Sequence, residues 1–237
     1  PILMSLSGLQ NLTRTVARVA LLAPFAAGCA TPPPPPEPVV PEENIEDRAL
    51  VAEATTQLEA PLRVVFDWSA RELSGARISG AGVARAEPPY RARLDLFLDN
   101  NEAVAQAALV DGDMRLPTGL PDELLPPPHL LWGTLGVFRP GRDQTLLGGE
   151  TIGGVLRVRY RLEDLTEIHY QVSGGRVLGV ERLRSGTVVQ RVEMEYSDSE
   201  QVPTRATYRD LAEGRELVID RTSVERVEPF PPDIWGG

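Results

Sequence analysis

Apolar and polar side chains alternate through most of residues 62–228, and this period of two limits the fold more than any other feature. In Arg91–Leu98, alanine or leucine occupies every second position, and mostly charged residues lie between them. Successive side chains of a strand point to opposite faces, so the pattern predicts strands with one buried and one polar face. Asn100-Asn101, Asp111-Gly112 and Ser185-Gly186 are typical of tight turns. The sequence therefore predicts about ten antiparallel strands connected as a meander.

Two segments break the strand period and predict helices. The first runs from about Ile45 to Glu59, with Asn44 as a capping residue. Its apolar stripe, spaced by four residues, consists of Leu50, Ala54 and Leu58. This helix is only modestly amphipathic and has to pack on another element. The second runs from about His129 to Val137, inside a proline- and leucine-rich insertion at 117–154.

These elements predict the fold class α+β, mainly β: a curved antiparallel sheet that forms an open half-barrel with a few covering helices. We predict one such domain at 45–228, followed by a C-terminal tail at 229–237. Side chains, helices or a ligand must fill the concave face of a curled sheet. If two helices fill it incompletely, an apolar groove remains that suits an acyl chain. If they fill it completely, there is no cavity, and the sequence does not choose between these alternatives.

A short apolar run, Val19–Ala27, follows two arginines and ends just before Cys29, the only cysteine. A positive region, a short apolar region and small residues before a cleavage site are typical of a secretory signal peptide. Ala26-Ala27-Gly28-Cys29 resembles the lipobox of bacterial lipoproteins, whose cysteine carries acyl chains. We therefore predict a signal peptide at 1–28, then a lipidated cysteine and an extended proline-rich linker at 29–44. The alternatives are an ordinary secreted protein cut nearby and a cytosolic protein with an apolar N-terminus.

The composition argues against nucleic-acid binding and against catalysis. The net charge is −10, and it becomes about −12 without the predicted signal peptide, because that segment holds two arginines and no acid. Such an acidic chain lacks the clustered cations that bind phosphate backbones. His129 and His169, the only histidines, have no cysteine or second histidine near them in sequence, and we interpret them as exposed polar side chains. We therefore predict no enzyme, no cofactor and no metal site.

Three shorter motifs have structural interpretations. Asp111-Gly112-Asp113 lacks the further ligands of a calcium loop and fits a turn. Gly148-Gly149 and Gly153-Gly154 lack phosphate-loop spacing and are interpreted as loops. A basic ladder along one strand consists of Arg157, Arg159 and Arg161. The ladder could face anionic lipid headgroups, but pairing with acids on neighbouring strands is the favoured interpretation.

The order of the elements resembles the LolA/LolB lipoprotein-carrier superfamily over about residues 45–228, including Arg91-Ala-Arg-Leu-Asp-Leu-Phe-Leu98 and Val110-Asp-Gly-Asp-Met-Arg-Leu116. The resemblance implies a cavity that receives the acyl chains of lipids or lipoproteins. With its predicted lipidated cysteine, the chain is more similar to the membrane-fixed acceptor LolB than to the soluble LolA. Ala30 after the cysteine is similar to outer-membrane sorting signals. The implied location is therefore the outer membrane, on its periplasmic side.

The predicted site residues fall into two groups. Side chains expected to line the groove are Leu94, Leu96, Leu98, Val158, Tyr160, Ile168 and Tyr170. Apolar residues of the insertion expected to contact lipid or membrane, like the protruding loop of the acceptor, are Leu124, Leu125, Leu130, Leu131, Trp132, Leu135 and Phe138. The predicted partners are a membrane, through the anchor, and acyl chains or lipoproteins.

Two other functions stay open. The chain could be a structural or envelope-assembly lipoprotein that binds a protein partner and has no lipid cavity. It could be an enzyme only if the fold brought His129 or His169 together with carboxylates in a cleft.

Overall fold

The computed structural model describes residues 39–117, 124–198 and 200–236. The predicted signal peptide, Cys29 and the first part of the predicted linker lie outside these residues. These described residues belong to one compact unit. Within the described ranges, no helix has both the length and the apolar character needed to span a bilayer.

Thirteen strands form one sheet in the order β1-β7-β8-β9-β10-β11-β12-β13-β2-β3-β4-β5-β6. The strands are β1 Val39–Pro41, β2 Leu62–Arg71, β3 Arg77–Glu87, β4 Arg91–Leu98, β5 Ala103–Val110, β6 Asp113–Arg115, β7 Thr145–Ile152, β8 Val155–Arg161, β9 Glu167–Ser173, β10 Arg176–Arg184, β11 Thr187–Glu195, β12 Arg205–Asp210 and β13 Arg215–Arg226. Neighbouring strands pair antiparallel throughout. Because β1 and β6 remain as the two edges, the sheet is not closed, and the predicted open half-barrel is confirmed.

The sequence missed two strands, β1 and β7. The predicted loop at Gly148-Gly149 is instead part of β7, which pairs with β8 on one side and β1 on the other. Glycines weaken the strand pattern, so the extended conformation here depends on the pairing of its neighbours. Strand β1, Val39–Pro41, also places part of the predicted linker in the sheet. Gly153-Gly154, in contrast, forms the predicted turn.

Helix α1 spans Ile45–Thr56, so it begins where predicted and ends earlier. The predicted capping hydrogen bond from the Asn44 side chain is not formed. The predicted buried stripe is also wrong, because Leu50 is 64% exposed, and the face against the sheet carries Ile45, Ala49, Ala52 and Thr56. Small residues on this face let the helix approach the sheet closely. Gly149 has the same effect from the other side, since a Cβ there would overlap the Ile45 side chain.

Helix α2 spans Pro128–Thr134 and is shorter than predicted. It lies against β10, β11 and β12. The chain turns at Gly136, whose φ of +78° is in the left-handed region that favours glycine. Both helices therefore pack on the concave face of the sheet, and their buried side chains belong to one core with the inward-facing residues of the strands.

The predicted C-terminal tail packs on the opposite, convex face. Pro232–Trp235 forms one turn of 3₁₀ helix that contacts β4 and β5. Trp235 is buried, and Arg93 and Arg115 donate hydrogen bonds of 3.0 and 3.1 Å to the carbonyl oxygens of Ile234 and Trp235. The tail thus fixes the end of the chain to the outside of the sheet.

Candidate functional site

The residues predicted to line a groove all lie on the concave side or at its margin. Six of them are buried in the core: Leu94, Leu96, Val158, Tyr160, Ile168 and Tyr170. Leu98 is half-buried and packs against the same core. The fold therefore brings these residues together, although most contact other protein side chains and not open space. Contact with an acyl chain stays a prediction for all seven.

The insertion has most of its predicted contact residues buried in this structure, and their contact with lipid or a membrane stays a prediction. Its residues Leu125, Leu130, Leu131, Trp132 and Phe138 are buried, while Leu124 and Leu135 are half-buried. The reason is that α2 covers the concave face, where its apolar side chains replace water against the sheet. Phe138 lies against Tyr170 with ring centroids 4.4 Å apart, and Trp132 Nε1 donates to the Asp111 carbonyl at 2.8 Å.

A cavity of about 500 Å³ opens beside the end of α1. Its apolar walls are Leu58, Leu62, Leu135, Val202 and Val224. Two acid–base pairs border it: Glu200 binds Arg221, and Glu59 lies 3.3 Å from Arg226. The volume falls in the range of small-molecule sites, which are about 300–1,000 Å³. Thr56, Gln57 and Gln201 complete its polar lining. The cavity therefore has both apolar and polar walls, and the charges at its border balance.

Two small voids continue this cavity toward the sheet. One of about 20 Å³ shares Leu135, Val202 and Arg221 with the large cavity. The other, of about 10 Å³, shares Ala84, Leu94 and Leu135 with the first void. Leu135 therefore borders all three spaces, and its side chain lies where they meet. Buried alanines on three neighbouring strands leave room on this part of the sheet: Ala84, Ala86, Ala92, Ala105 and Ala107.

A second cavity of about 270 Å³ lies at the other end of the β2–β13 pair. Its apolar walls include Ala70, Ile78, Val104, Leu124 and Leu217. The Arg71–Glu216 ion pair, 3.5 Å long, lies at its margin. The concave face thus has an opening at each end, with the packed core between them.

A buried arginine joins both helical segments to the sheet. Arg139, whose side chain is 8% exposed, follows α2 and donates to Glu53 of α1 at 2.6 Å. It also binds Asp111 in the β5–β6 turn, where Nε is 3.0 Å from Oδ1. Its guanidinium lies 3.8 Å from the centroid of the Tyr90 ring, and the Tyr90 hydroxyl donates to Glu53 at 2.8 Å. We call Arg139, Glu53, Asp111 and Tyr90 the helix clasp.

The clasp changes the acidity of its members. Burial, and then the hydrogen bond and charge of Glu53, raise the pKa of Tyr90 to about 12. Burial acts to lower the pKa of Arg139, but the hydrogen bond and charge of Asp111 outweigh it and raise that pKa above its usual value. Arg139 therefore stays charged, and the Tyr90 hydroxyl stays a donor, at all physiological pH values.

Neither histidine is the exposed side chain that the sequence suggested. His169 is buried on β9, and its Nε2 donates to Glu167 at 2.9 Å. His129 is half-buried, and burial lowers its pKa. Among the described residues, no group of three or more histidine, cysteine or acidic side chains is arranged to hold a metal ion.

Two exposed leucines outside the predicted site lie in neighbouring turns. Leu73, 84% exposed, is in the β2–β3 turn, and Leu211 is in the β12–β13 turn. The turns touch, since a Cβ on Gly214 would lie 2.9 Å from Leu73 Cβ. Both are at the end of the sheet that holds the 270 Å³ cavity. A leucine in the short connection between two strands, close to a glycine, is the signal that could have identified them.

Comparison with known proteins supports the fold and gives no sequence family. No protein-family model matches the sequence, and no curated protein matches it. A crystal structure of a LolA superfamily protein from Nitrosomonas europaea aligns with a TM-score of 0.52 at 13% identity, covering 81% of this chain and 97% of the other. A DUF1329 family protein from Desulfovibrio piger aligns with a TM-score of 0.52 at 11% identity, covering 81% and 96%. The predicted LolA/LolB-like fold is therefore confirmed.

Proposed function

We propose that the chain binds the acyl chains of lipids or lipoproteins on the concave face of its sheet, as a carrier or acceptor in the bacterial envelope. The observation that carries this proposal is the series of cavities that meet at Leu135. An acyl chain needs an apolar channel and no buried polar partner. Leucine, valine and alanine side chains supply the apolar walls of this series, and the large cavity is also lined by Gln57, Gln201 and the two acid–base pairs at its opening. The paired charges at the opening can stay in water beside a polar headgroup.

The small inner voids are too narrow for an acyl chain in the present arrangement, so the helices must move to admit one. Displacement of Leu135 and the end of α2 would join the three spaces over the alanine-rich strands. The helix clasp opposes this movement because Arg139 holds Glu53 of α1 and Asp111 of the sheet together. Opening the clasp is therefore the step that we expect to precede loading.

The location in this proposal depends on Cys29. Two or three acyl chains on that residue would anchor the protein stably, whereas one chain binds a membrane only marginally. We propose that the anchored protein faces the periplasm from the outer membrane. Since α2 is buried, we assign membrane contact to the exposed turns with Leu73 and Leu211.

The test is lipid binding by the full chain carrying Cys29→Ser, so that no anchor is attached. We expect mass spectrometry to find co-purified lipids and a fluorescent fatty acid to bind saturably. Leu135→Trp places a larger side chain at the junction of the cavities and should weaken this binding about tenfold, since displaced apolar contacts are worth about 1.5 kcal/mol. Leu50→Trp makes the same change on the exposed face of α1 and should leave binding unchanged.

Equal binding by the two tryptophan variants would refute the assigned cavity. No bound lipid in any variant would refute acyl-chain binding altogether and leave recognition of a protein partner as the surviving function.

A further inference from the structure

The basic ladder on β8 lies on the convex face, away from the proposed acyl cavity. Arg157, Arg159 and Arg161 alternate with residues that are buried in the core, such as Val158 and Tyr160. Side chains two residues apart on one face of a strand are about 7 Å apart. The three guanidinium groups therefore form a row on the outer surface, near the β1 edge of the sheet.

The expected pairing of this ladder with acids holds for only one of the three arginines. Arg157 lies 3.4 Å from Glu150. Arg159 and Arg161 form no ion pair with any residue in the described part of the chain. Most other arginines in the described ranges have a carboxylate within 4.0 Å, and the further exceptions there are Arg77, Arg115, Arg176 and Arg184.

Arg159 is also short of a hydrogen-bond acceptor. Its Nε is buried and has no hydrogen-bond partner among the residues that the structure describes. Buried donors in folded proteins nearly always have a partner, and an unpaired one indicates a place for water or an ion. A guanidinium donor in this position requires an oxygen acceptor that the described residues do not supply.

The neighbouring strand β7 leaves open space beside the Arg159 guanidinium, next to Nη2 and more than 4 Å from Nε. Gly148 on β7 is opposite Arg159, and a Cβ built there would have only Arg159 Nη2 within 4 Å, at 3.7 Å. On the other side, His169 of β9 is opposite Arg159, and Glu167 is opposite Arg161. Glu167 accepts a hydrogen bond from His169 at 2.9 Å. Five charged side chains thus face the site: the three arginines of the ladder and the carboxylates of Glu150 and Glu167.

We propose that Arg159 and Arg161 form a binding site for a phosphate group on the convex face of the sheet. Arginine presents paired donors that match phosphate oxygens, and such charge-assisted bonds are stronger than neutral ones. Arg159 supplies the unpartnered Nε and the guanidinium edge next to Gly148, and Arg161 supplies a second cation. The phosphate belongs either to a lipid headgroup or to a soluble phosphate compound.

The test follows the arginine Nε–H signals of the ¹⁵N-labelled full chain carrying Cys29→Ser, at low ionic strength. One arm adds inorganic phosphate, with sodium chloride at equal ionic strength as the reference. The other adds phosphatidylcholine vesicles with or without phosphatidylglycerol. We expect a saturable shift of the Arg159 signal with phosphate, with the phosphatidylglycerol vesicles, or with both.

Arg159→Gln should weaken binding of the probe about tenfold, as expected for loss of one charge-assisted hydrogen bond. Arg161→Gln, at an exposed position, is the second variant and should also weaken it. Arg205→Gln removes the same charge elsewhere on the sheet, where Arg205 pairs with Asp220 at 3.2 Å, and should change binding less than twofold.

A response to phosphate alone would assign the site to soluble phosphate compounds, and a response to the anionic vesicles would assign it to headgroups. The proposal is overturned if neither probe shifts the Arg159 signal, or if Arg205→Gln weakens binding as much as Arg159→Gln. Because the acyl cavity is on the other face, loss of lipid binding by Leu135→Trp should leave this phosphate response intact.

Discussion

Two arginine–carboxylate clusters lie on opposite faces of the same sheet, and they differ in what they connect. On the convex face, Asp95 is 2% exposed and binds Arg85 at 2.6 Å and Arg93 at 2.9 Å. All three residues belong to the adjacent strands β3 and β4. On the concave face, the helix clasp joins Arg139 to Glu53 and Asp111, which are 86 and 28 residues away in sequence.

This difference in sequence separation means that the two clusters have different structural roles. The backbone ladder already holds the strands of the Asp95 cluster in register, so that cluster adds stability to a fixed geometry. No ladder holds α1 and the segment after α2. The clasp links them to the sheet through charged groups, beside the hydrogen bond that Tyr170 of β9 donates to the Arg139 carbonyl at 2.8 Å. Breaking the first cluster should cost stability alone, whereas breaking the second should also release the helices.

The largest effect is expected for Arg139→Met. The substitution removes the cation that both carboxylates share, and breaking a buried pair in this way should lower the free energy of unfolding by about 3 kcal/mol. Amide hydrogen exchange in α1 and α2 should become faster before the sheet is affected. Arg142→Met is the matched control, because Arg142 binds the same Asp111 at 3.3 Å but is exposed; it should cost less than about 0.5 kcal/mol. If denaturant titrations showed the same loss of stability in both variants, the proposed role of the helix clasp would be contradicted.

A smaller loss of folding stability is expected for Asp95→Asn. Arg85 and Arg93 are partly exposed and can turn toward water once the carboxylate is gone, so we expect a loss of about 1.5 kcal/mol. Exchange in α1 and α2 should not change. Asp220→Asn, at an exposed pair, is the control. Faster exchange in the helices of Asp95→Asn would erase the distinction between the two clusters.

The smallest effect is expected for Tyr90→Phe, which keeps the ring against Arg139 and removes the hydrogen bond to Glu53. The loss should be about 1 kcal/mol at neutral pH. The folded-state pKa of Tyr90 is raised to about 12 from 10.0, so the hydroxyl's contribution is complete below pH 10 and is lost between pH 10 and 12. The stability difference between wild type and Tyr90→Phe should therefore shrink over that window. A difference that stays constant to pH 12 would show that Tyr90 titrates normally.

The contrast between the Asp95 cluster, which is local in sequence, and the helix clasp, which is not, also explains which parts of the molecule could be predicted. Strand positions, turns and the buried face of each strand depend on neighbours in sequence, and Arg91–Leu98 forms β4 as predicted. The buried face of α1 depends on what the helix meets. The sequence predicted that leucines of the helix would contact the sheet. The helix instead lies close to Gly149 and contacts the sheet through Ile45, Ala49 and Ala52.

Prediction of the candidate site was also limited to features that depend on neighbours in sequence. The groove residues were placed correctly on the concave side, because the period of two determines the face of a strand. Membrane contact of the insertion stays a prediction, although Leu130, Leu131 and Trp132 pack in the protein's own core. An apolar segment can bury its side chains in its own protein or in lipid with equal local chemistry, so the sequence did not distinguish the two. Leu135, where the cavities meet, carries no local signal that distinguishes it from Leu130 or Leu131.

By itself, the sequence determined a mainly antiparallel half-barrel with two helices, since alternation, turns and helix breaks are local properties of the chain. The tertiary structure decided which apolar residues fill the sheet and which border a cavity. It also decided that Arg139 clasps both helical segments while Arg159 and Arg161 lack carboxylates. The physical reason is that cavities and ion pairs depend on distances between residues far apart in sequence, and those distances exist only once the sheet has curled around its core.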